Sequence, residues 1–291
     1  MKTRLQRLLR PALLGAGVLA LVIMLGFVEH STDHTVIREL AVRVDLGHLR
    51  TEATEGMHFI DENAVREQVL AHANGVIGDP INHVDLVAIE QELRNTACVA
   101  KADVYHTLDG VLHVNVTQRR PIIRVINADG SGFYIDDEGF TMPLSKDYTA
   151  RVLVATGELF EPFTSAVTDL STLGDSLATI TRSRSLYTVA TTIANDPFWN
   201  ALFDQAYVDA SGQIELIARI GGQRVRVGDG SQLKPNLAKL KAFYDQGIPQ
   251  TDWRRYSVID TRFAEQVVCT LKSDVRIAPQ IPKPAEAHRA P

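Results

Sequence analysis

The hydrophobic pattern of the chain begins with an unbroken apolar run near the N-terminus. Residues 11–28, PALLGAGVLALVIMLGFV, contain no charged side chain. As an α-helix this run would extend roughly 27 Å, close to the hydrocarbon thickness of a bilayer. Lysine and arginine dominate the residues before it, and the basic flank of a membrane helix normally stays cytoplasmic. The pattern therefore predicts a cytoplasmic tail at 1–10, a transmembrane helix at 11–28, and a chain that is otherwise outside the cytoplasm.

A cleaved signal peptide shares several of these features, because its apolar core also follows a basic segment. Such a core is usually shorter, and a cleavage site of the Ala-x-Ala kind normally follows it. Here the run is followed by Glu29-His30-Ser31-Thr32, which does not match such a site. These differences favour an uncleaved anchor.

The next part of the chain, residues 36–118, has a pattern typical of a β-α-α-β-β unit. Apolar residues recur every second position in three segments and at helical spacing in two. Such a unit buries one face of a small sheet under two helices. The predicted elements are a strand at 36–45, a helix capped by Asp61 with Val65 and Val69 inward, a second helix with Leu86, Ile89 and Leu93 on one face, and strands at 98–106 and 111–118.

The turn between the last two strands of this unit allows two registers. A two-residue turn would pair Val104 with Asn115 and mix apolar and polar residues on both faces, which is a poor outcome. A three-residue loop at 108–110, with Gly110 in the left-handed conformation, pairs Val104 with Val114 and gives one apolar face. We therefore predict the second register.

From residue 119 the pattern changes to short strands separated by glycine-containing turns, which predicts a larger, mixed, β-rich domain over 119–277. The whole chain is thus expected to be α+β. The tail at 278–291 contains four prolines and is predicted to be disordered. The predicted elements are strands at 122–126, 132–136, 151–155, 206–209, 213–220 and 223–228, helices at 181–194 (stopped by Asp196-Pro197) and 233–244, and a long closing strand region at 253–271.

Composition narrows the classes of function. A hydrophobic fraction of 45% fits globular domains. The net charge is −5 although the first ten residues are basic, so the part of the chain after the predicted membrane helix is acidic. This acidity argues against nucleic acid or an anionic lipid surface as the main partner. Cys98 and Cys269, the only cysteines, both fall on the inward parity of their strands. We predict that they are unpaired core residues of different domains.

Three candidate chemical sites lack the residues that would complete them. Ser231 and Lys234 match the Ser-x-x-Lys of penicillin-binding enzymes, but the sequence has no Ser-Asp-Asn or Lys-Thr-Gly element. The carboxylates at 136–138 could suggest calcium, yet the following residues add almost no oxygen ligands, so a solvated turn is favoured. His30 and His34 have no third ligand nearby. We therefore predict no catalytic residues, metal, cofactor or small-molecule substrate.

Short motifs lie in a particular order along the chain. They are GVLHVNV at 110–116 running into QRRP at 118–121, YID at 134–136 with Gly139, VG at 227–228 followed by KL at 239–240, IDTRF at 259–263, and QVV at 266–268. In this order and spacing the chain resembles the FtsQ (DivIB) family of bacterial cell-division proteins over nearly its whole length. One departure is Thr261, at a position where many relatives carry leucine.

The resemblance implies the architecture and the function of the family. It implies one membrane helix, a POTRA module at 36–118 and an FtsQ-type β domain at 119–277, in a protein of the cell inner (plasma) membrane at the division septum. It also implies a non-enzymatic scaffold of the divisome that binds FtsB-like and FtsL-like single-span partners, contacts other divisome components, and helps to control septal peptidoglycan synthesis.

In relatives the partner adds a strand beside the last strand of the β domain. The pattern here is compatible, because Ile259, Phe263, Val267, Cys269 and Leu271 share one parity and are expected to face the core. An edge strand offers main-chain hydrogen bonds to an incoming strand. The pattern alone favours a shielded edge, and only the resemblance reverses that preference. The residues implied in partner binding are Asp260, Arg262, Phe263, Ala264, Gln266, Val268 and Thr270.

An alternative function is a membrane-anchored secretion or envelope-assembly factor that uses the POTRA fold as a chaperone for passing chains. Such proteins usually repeat the module, whereas this sequence contains one copy. The number of copies therefore favours the division scaffold.

Overall fold

The computed structural model describes residues 17–21, 35–46, 59–72, 76–146, 148–162, 167–172, 182–247 and 255–272. These residues form a mixed α+β structure with two compact units. The first unit is Met1–Arg120 with Ser145–Thr149, and the second is Pro121–Leu144 with Ala150–Pro291.

Most of the predicted membrane span lies outside the described residues. Within the 11–28 run only residues 17–21 are described, and they are helical. A search of the described part of the chain finds no helix with the length and apolar character needed to cross a bilayer. The predicted tails at 1–10 and 278–291 also lie outside the described residues.

The first unit has the predicted β-α-α-β-β order. Its sheet contains β1 (Glu39–Asp45), β2 (Val99–His106) and β3 (Val111–Gln118) in the spatial order β1-β3-β2. β1 is parallel to β3, and β2 is antiparallel to it. The helices α1 (Glu62–Ala71) and α2 (Leu86–Arg94) lie between β1 and β2 in the sequence.

One apolar core joins the two helices to the sheet. Val65 and Val69 of α1 are buried together with Ile89 and Leu93 of α2, as their helical spacing predicts. The Asp61 carboxylate begins α1 by accepting a hydrogen bond of 2.6 Å from a backbone N–H three residues later. Local capping and the apolar stripe therefore agree on where α1 starts.

The β2–β3 hairpin has the predicted register, with Val104 opposite Val114. Gly110 has a φ of +86°, which is the left-handed conformation that the three-residue loop requires. A Cβ atom at this position would lie 2.4 Å from the carbonyl oxygen of Val36. Both the backbone conformation and the available space therefore require glycine.

The second unit is built on a nine-stranded sheet in the order β12-β11-β10-β9-β8-β7-β4-β5-β6. Helices α3 (Ser183–Ala194), α4 (Pro197–Leu202) and α5 (Leu233–Ala242), the last followed by a π-helical turn at Phe243–Gly247, accompany it. The strands are β4 (Pro121–Ile126), β5 (Gly132–Asp136), β6 (Thr141–Pro143), β7 (Leu153–Gly157), β8 (Phe203–Val208), β9 (Ile214–Ala218), β10 (Arg224–Gly228), β11 (Tyr256–Asp260) and β12 (Val268–Leu271).

The helices α3 and α5 supply the apolar side chains that cover one face of this sheet. The buried residues are Leu186, Val189, Ala190 and Ile193 of α3 and Leu233, Leu237 and Leu240 of α5. They pack with alternate residues of the strands, such as Ile123 and Val225. The remaining residues of each strand point to the opposite face.

The N-terminus of α3 is capped by a residue that lies 21 positions earlier in the sequence than Arg182. The N-cap residue Arg182 makes no side-chain cap of its own. The buried Glu161 carboxylate instead accepts hydrogen bonds from the backbone N–H groups of Arg182 and Ser183, at 2.6 and 2.9 Å. A negative charge at this position also interacts favourably with the helix dipole.

The sequence prediction missed α4. Asp196-Pro197 was expected only to stop α3, but the same residues begin a new helix. The Asp196 carboxylate accepts hydrogen bonds from the N–H groups of Phe198 and Trp199, and Pro197 occupies the first turn, where its missing N–H has no cost.

The prediction of one long closing strand region at 253–271 is wrong. β11 and β12 form an antiparallel hairpin, joined by a connection at residues 261–267. Phe263, expected to face the core, lies in the connection and is 45% exposed. Ile259 is buried and Cys269 is half-buried, so the parity rule holds only within each strand.

The two cysteines belong to different cores, as predicted. Both thiols are free. Cys98 packs against the core of the first unit and Cys269 against that of the second. Burial raises the pKa of both thiols, so neither is activated as a nucleophile.

Candidate functional site

The strand β12 lies at one edge of the nine-stranded sheet, and β11 is its single neighbour among the residues that the structure describes. Cys269 is paired with Ile259, and Val268 with Asp260. An edge strand directs alternate backbone N–H and C=O groups away from the sheet, where they can pair with another strand. β12 is therefore a site at which strand addition is geometrically possible.

The opposite edge of this sheet is covered by the chain itself. At β6 the N–H of Thr141 donates to the carbonyl of Thr168 at 2.9 Å, and Phe140 bridges Asp169. β6 also ends in Pro143, which has no N–H to offer. The two edges of the sheet thus differ in their capacity to accept a partner strand.

The structure brings the seven predicted partner-binding residues together on one hairpin, but it places only two of them on the edge strand. The others belong to β11 or to the connection, because the chain reverses between the two strands. Asp260 ends β11, Arg262, Phe263, Ala264 and Gln266 lie in the connection, and Val268 and Thr270 lie on β12.

The connection is held by Lys239 of α5, a residue whose role the sequence did not reveal. Its ammonium group donates to the carbonyl oxygens of Thr261 and Phe263, at 2.5 Å each. Thr261 is fully buried, and both its N–H (3.1 Å) and its hydroxyl (2.9 Å) donate to the carbonyl of Arg226 on β10. The only available signal was the place of Lys239 in the KL motif at 239–240.

Asp260 and Arg262 form a bidentate ion pair beside the connection, with nitrogen–oxygen distances of 2.9 and 2.6 Å. Burial acts to raise the pKa of Asp260, but the hydrogen bonds and charge of Arg262, with the charge of Arg226, outweigh it and hold that pKa below its ordinary value. The hydrogen bond to Asp260 in turn raises the pKa of Arg262. The pair is therefore ionised at neutral pH.

This ion pair belongs to a row of side chains on the face opposite α3 and α5. Strand pairing sets Tyr207, Glu215, Arg226, Asp260 and Val268 side by side across five strands. The nearly buried Glu215 carboxylate accepts from Arg226 at 2.8 Å. Along this row the charges of Glu215, Arg226 and Asp260 alternate in sign, and the row ends at the apolar Val268 on β12.

Two apolar side chains near the edge are exposed. Val268 on β12 is 41% exposed, and Phe263 in the connection is 45% exposed. Between them Glu265 has a φ of +58°, an unusual value for a residue other than glycine. This left-handed residue lies where the chain turns back into β12, and such local strain is common at binding sites.

The residues considered for chemistry have structural partners. The Ser231 hydroxyl donates to the Asp229 carboxylate at 2.6 Å. Asp136 accepts from the N–H groups of Glu138 and Phe140, at 3.0 and 2.7 Å, and so holds a turn. Across the described ranges no group of three or more His, Cys, Asp or Glu side chains could hold a metal ion. His30 and His34 lie outside those ranges.

Comparison with known proteins decides the family. The sequence profile described as "FtsQ/DivIB, C-terminal related" matches residues 120–270, slightly more than half of the chain. The chain belongs to the FtsQ/DivIB family. This match includes the β11–β12 hairpin, Lys239 and all seven predicted partner-binding residues.

Two further similarities agree with FtsQ/DivIB membership. A profile described as "POTRA-like domain" matches residues 49–117. The chain is also similar to the protein named Cell division protein FtsQ of Rhodothermus marinus, with 25% identity over 202 residues, which are 66% of this chain and 67% of that protein. The resemblance to FtsQ/DivIB, a family of cell-division proteins, is therefore confirmed.

Proposed function

We propose that this protein is a non-enzymatic scaffold of the bacterial divisome that binds FtsB-like and FtsL-like single-span proteins and helps to control septal peptidoglycan synthesis. FtsQ/DivIB membership supports a role in cell division. The observation that carries the proposal is the edge position of β12, next to two exposed apolar side chains. In this function the protein binds partner proteins and catalyses no reaction.

The proposed mode of binding is strand addition at β12. The backbone of β12 supplies hydrogen bonds to the incoming strand, and the side chains nearby supply selectivity. Val268 and Thr270 lie on the edge strand itself, whereas Phe263, Ala264 and Gln266 flank its start. Asp260 and Arg262 position the connection through their ion pair.

The proposal includes a membrane anchor. The uncharged run at 11–28 and the basic residues before it support a single-pass protein of the inner membrane, with a cytoplasmic N-terminus and its bulk outside the cytoplasm. The proposed domains are a POTRA-like domain at 36–118 and a β domain at 119–277. A membrane scaffold of this kind acts at the division septum.

The proposal is tested by placing charge on the edge strand. Lysine is a common device for blocking strand addition at an edge. We expect Val268→Lys and Thr270→Lys to abolish co-purification of FtsB-like and FtsL-like proteins, because both substitutions place a cation where the partner strand would lie. Each side chain is at least partly exposed, so the domain should stay folded.

Gln205→Lys is the matched control. Gln205 is exposed and lies in the same cross-strand row as Thr270, but on the interior strand β8. It therefore adds the same charge to the same face without touching the edge. Capture that survives both edge variants, with far-ultraviolet circular dichroism unchanged, would eliminate strand addition at β12.

A further inference from the structure

The first unit also has an edge strand, β2, and its outward backbone groups can be identified. β2 is antiparallel to β3, and the N–H of Thr107 donates to the carbonyl of Val111 just beyond the strand ends. Backbone groups alternate in direction along a strand, so those of Lys101, Asp103 and Tyr105 face β3. The N–H and C=O groups of Ala102 and Val104 therefore point away from the sheet.

Two side chains of α2 occupy two of these four outward groups. The Glu90 carboxylate accepts a hydrogen bond from the N–H of Val104 at 3.0 Å. The Arg94 guanidinium donates to the carbonyl of Ala102 at 3.1 Å. The same two side chains also pair with each other at 2.7 Å. We call Glu90 and Arg94 the edge cap.

The edge cap presents to β2 what a neighbouring strand would present. It offers one acceptor and one donor to successive outward groups of the strand, in the order that a ladder requires. The buried residues Ile89 and Leu93 of α2 hold the helix against the sheet, and each lies directly before a member of the cap in the sequence. Packing of Ile89 and Leu93 in the core therefore positions Glu90 and Arg94 beside β2.

Backbone hydrogen bonds cover part of the β6 edge and the residues just before β1. At β6 the cover is residue 168, as described above. At β1 the guanidinium of Arg66 donates to the carbonyl of Leu40 at 2.8 Å, and just before the strand the N–H of Ile37 donates to the carbonyl of Asp79. At β2 the two hydrogen bonds described above come from side chains, which can be removed by substitution without changing the backbone.

We propose that the edge cap prevents strand addition at β2, including pairing with β2 of a second copy of this chain. An uncapped edge strand is a template for pairing with another chain, and proteins use charged side chains to prevent it. Exposed Tyr105 on β2 and Leu108 in the following turn would add apolar contact to such a pairing. The inference concerns the first unit and does not depend on partner capture at β12.

The first test is hydrogen exchange measured by mass spectrometry on the full chain, following the peptide that covers β2. In the Glu90→Ala/Arg94→Ala variant the amide of Val104 loses its acceptor, and its exchange should become about tenfold faster or more. Glu90→Gln keeps an oxygen acceptor and should retain most of the protection. Glu92→Ala is the matched control, because it removes a different ion pair, with His72, from the same helix.

The second test is the protein mass of the full chain in detergent, measured by light scattering with separate detection of protein and micelle. We expect the double variant to form dimers as its concentration rises and the Glu92→Ala variant to have the mass of the unaltered chain. Peptides from α1 and β3 report whether the unit remains folded. If the fold is lost, Glu90→Ala alone, which removes the acceptor of the Val104 N–H and keeps Arg94, replaces the double variant.

A folded double variant that matches Glu92→Ala in both β2 exchange and mass would overturn the inference. Faster β2 exchange with concentration-dependent dimers would support it. These outcomes are separate from those of the proposed function, because Val268→Lys should abolish partner capture while leaving β2 exchange unchanged. Failure of one proposal is therefore distinguishable from failure of the other.

Discussion

Replacing Lys239 with methionine should loosen the β11–β12 connection and weaken partner capture. The substitution removes the ammonium group that bonds the carbonyls of Thr261 and Phe263. Methionine keeps an unbranched apolar stem of similar length, so the packing of the stem is largely retained. The change therefore isolates the two hydrogen bonds that tie α5 to the connection.

The magnitude follows from the burial of the two acceptors. A hydrogen bond to a charged group contributes about 1.5–3 kcal/mol when desolvated. The bond to Thr261 lies against a fully buried residue and falls in this range, whereas the bond at Phe263 is exposed and contributes only a few tenths. The sum is about 2 kcal/mol. For a unit of this size that corresponds to a fall in Tm of about 4–8 °C.

Thermal unfolding followed by circular dichroism measures the fall in Tm, and hydrogen exchange of the peptide spanning 261–267 measures the local loosening. Lys241→Met is the matched control. Lys241 lies on the same helix and loses an ion pair with Asp245 at 2.6 Å, but it does not contact the connection. Because that pair is exposed, Lys241→Met should lower the free energy of unfolding by less than about 1 kcal/mol. The fall in Tm should be correspondingly small.

The reasoning would be refuted if Lys239→Met left exchange of the connection unchanged, or if Lys241→Met accelerated it equally. Capture of FtsB-like protein provides a further check. Because the connection orients the start of β12, we expect capture to weaken with Lys239→Met and to persist with Lys241→Met.

Three further predictions concern stability and reactivity. Thr261→Val removes the hydrogen bond from the hydroxyl to the carbonyl of Arg226 and should lower the free energy of unfolding by about 1 kcal/mol. Thr261→Leu must also fit a larger side chain into a fully buried site and should lower it by about 1–3 kcal/mol more. Urea unfolding measures both changes. The turn carboxylates of Asp129, Asp209 and Asp229 have pKa values lowered by hydrogen bonds from the serine two residues later. Because their folded pKa values are depressed, the stability they contribute is fully present above the ordinary aspartate pKa of about 3.9 and is lost as pH falls towards the folded values. The urea midpoint should thus be flat from neutral pH to about pH 5 and then drop, and Asp209→Asn should reduce the drop. Finally, burial raises the pKa of Cys98 and Cys269, so both thiols should react slowly with a disulfide reagent at pH 8 until denaturant is added; rapid labelling of the native protein would contradict their burial.

The sequence predicted the elements whose causes are local. The β2–β3 register depends on alternation within a short hairpin and on one glycine in the loop, so the pattern of Val104, Gly110 and Val114 was sufficient. The start of α1 depends on a side chain three residues away, and Asp61 was identified for that reason. Such features are encoded within a few residues and need no knowledge of tertiary contacts.

The errors arose where distant residues decide the structure. Alternation continues past residue 260 in the sequence, but the chain turns there because Thr261 bonds to Arg226 and Lys239 holds the following carbonyls. The N-terminal cap of α3 comes from Glu161, which lies 22 residues before Ser183 in the sequence. No periodic pattern contains these contacts.

The candidate site was predicted in part. The seven residues do gather on one hairpin, because they are close in sequence, but the sequence could not separate edge strand from connection. Lys239 was missed because its two acceptors lie 22 and 24 residues away. The contacts of the edge cap with β2 were not predicted, because they require the packed fold.

Among the described strands, β12 is the last in the sequence and also lies at one edge of the sheet. A polypeptide leaves the ribosome from its N-terminus, so the seven strands from β4 to β10 and their covering helices exist before β11 and β12. If partner strands add at β12 as proposed, recruitment can begin only after the chain has been translated as far as Leu271. A prematurely terminated copy would thus retain most of its apolar interior yet stay out of the assembly, and incomplete molecules would be screened without any dedicated proofreading step.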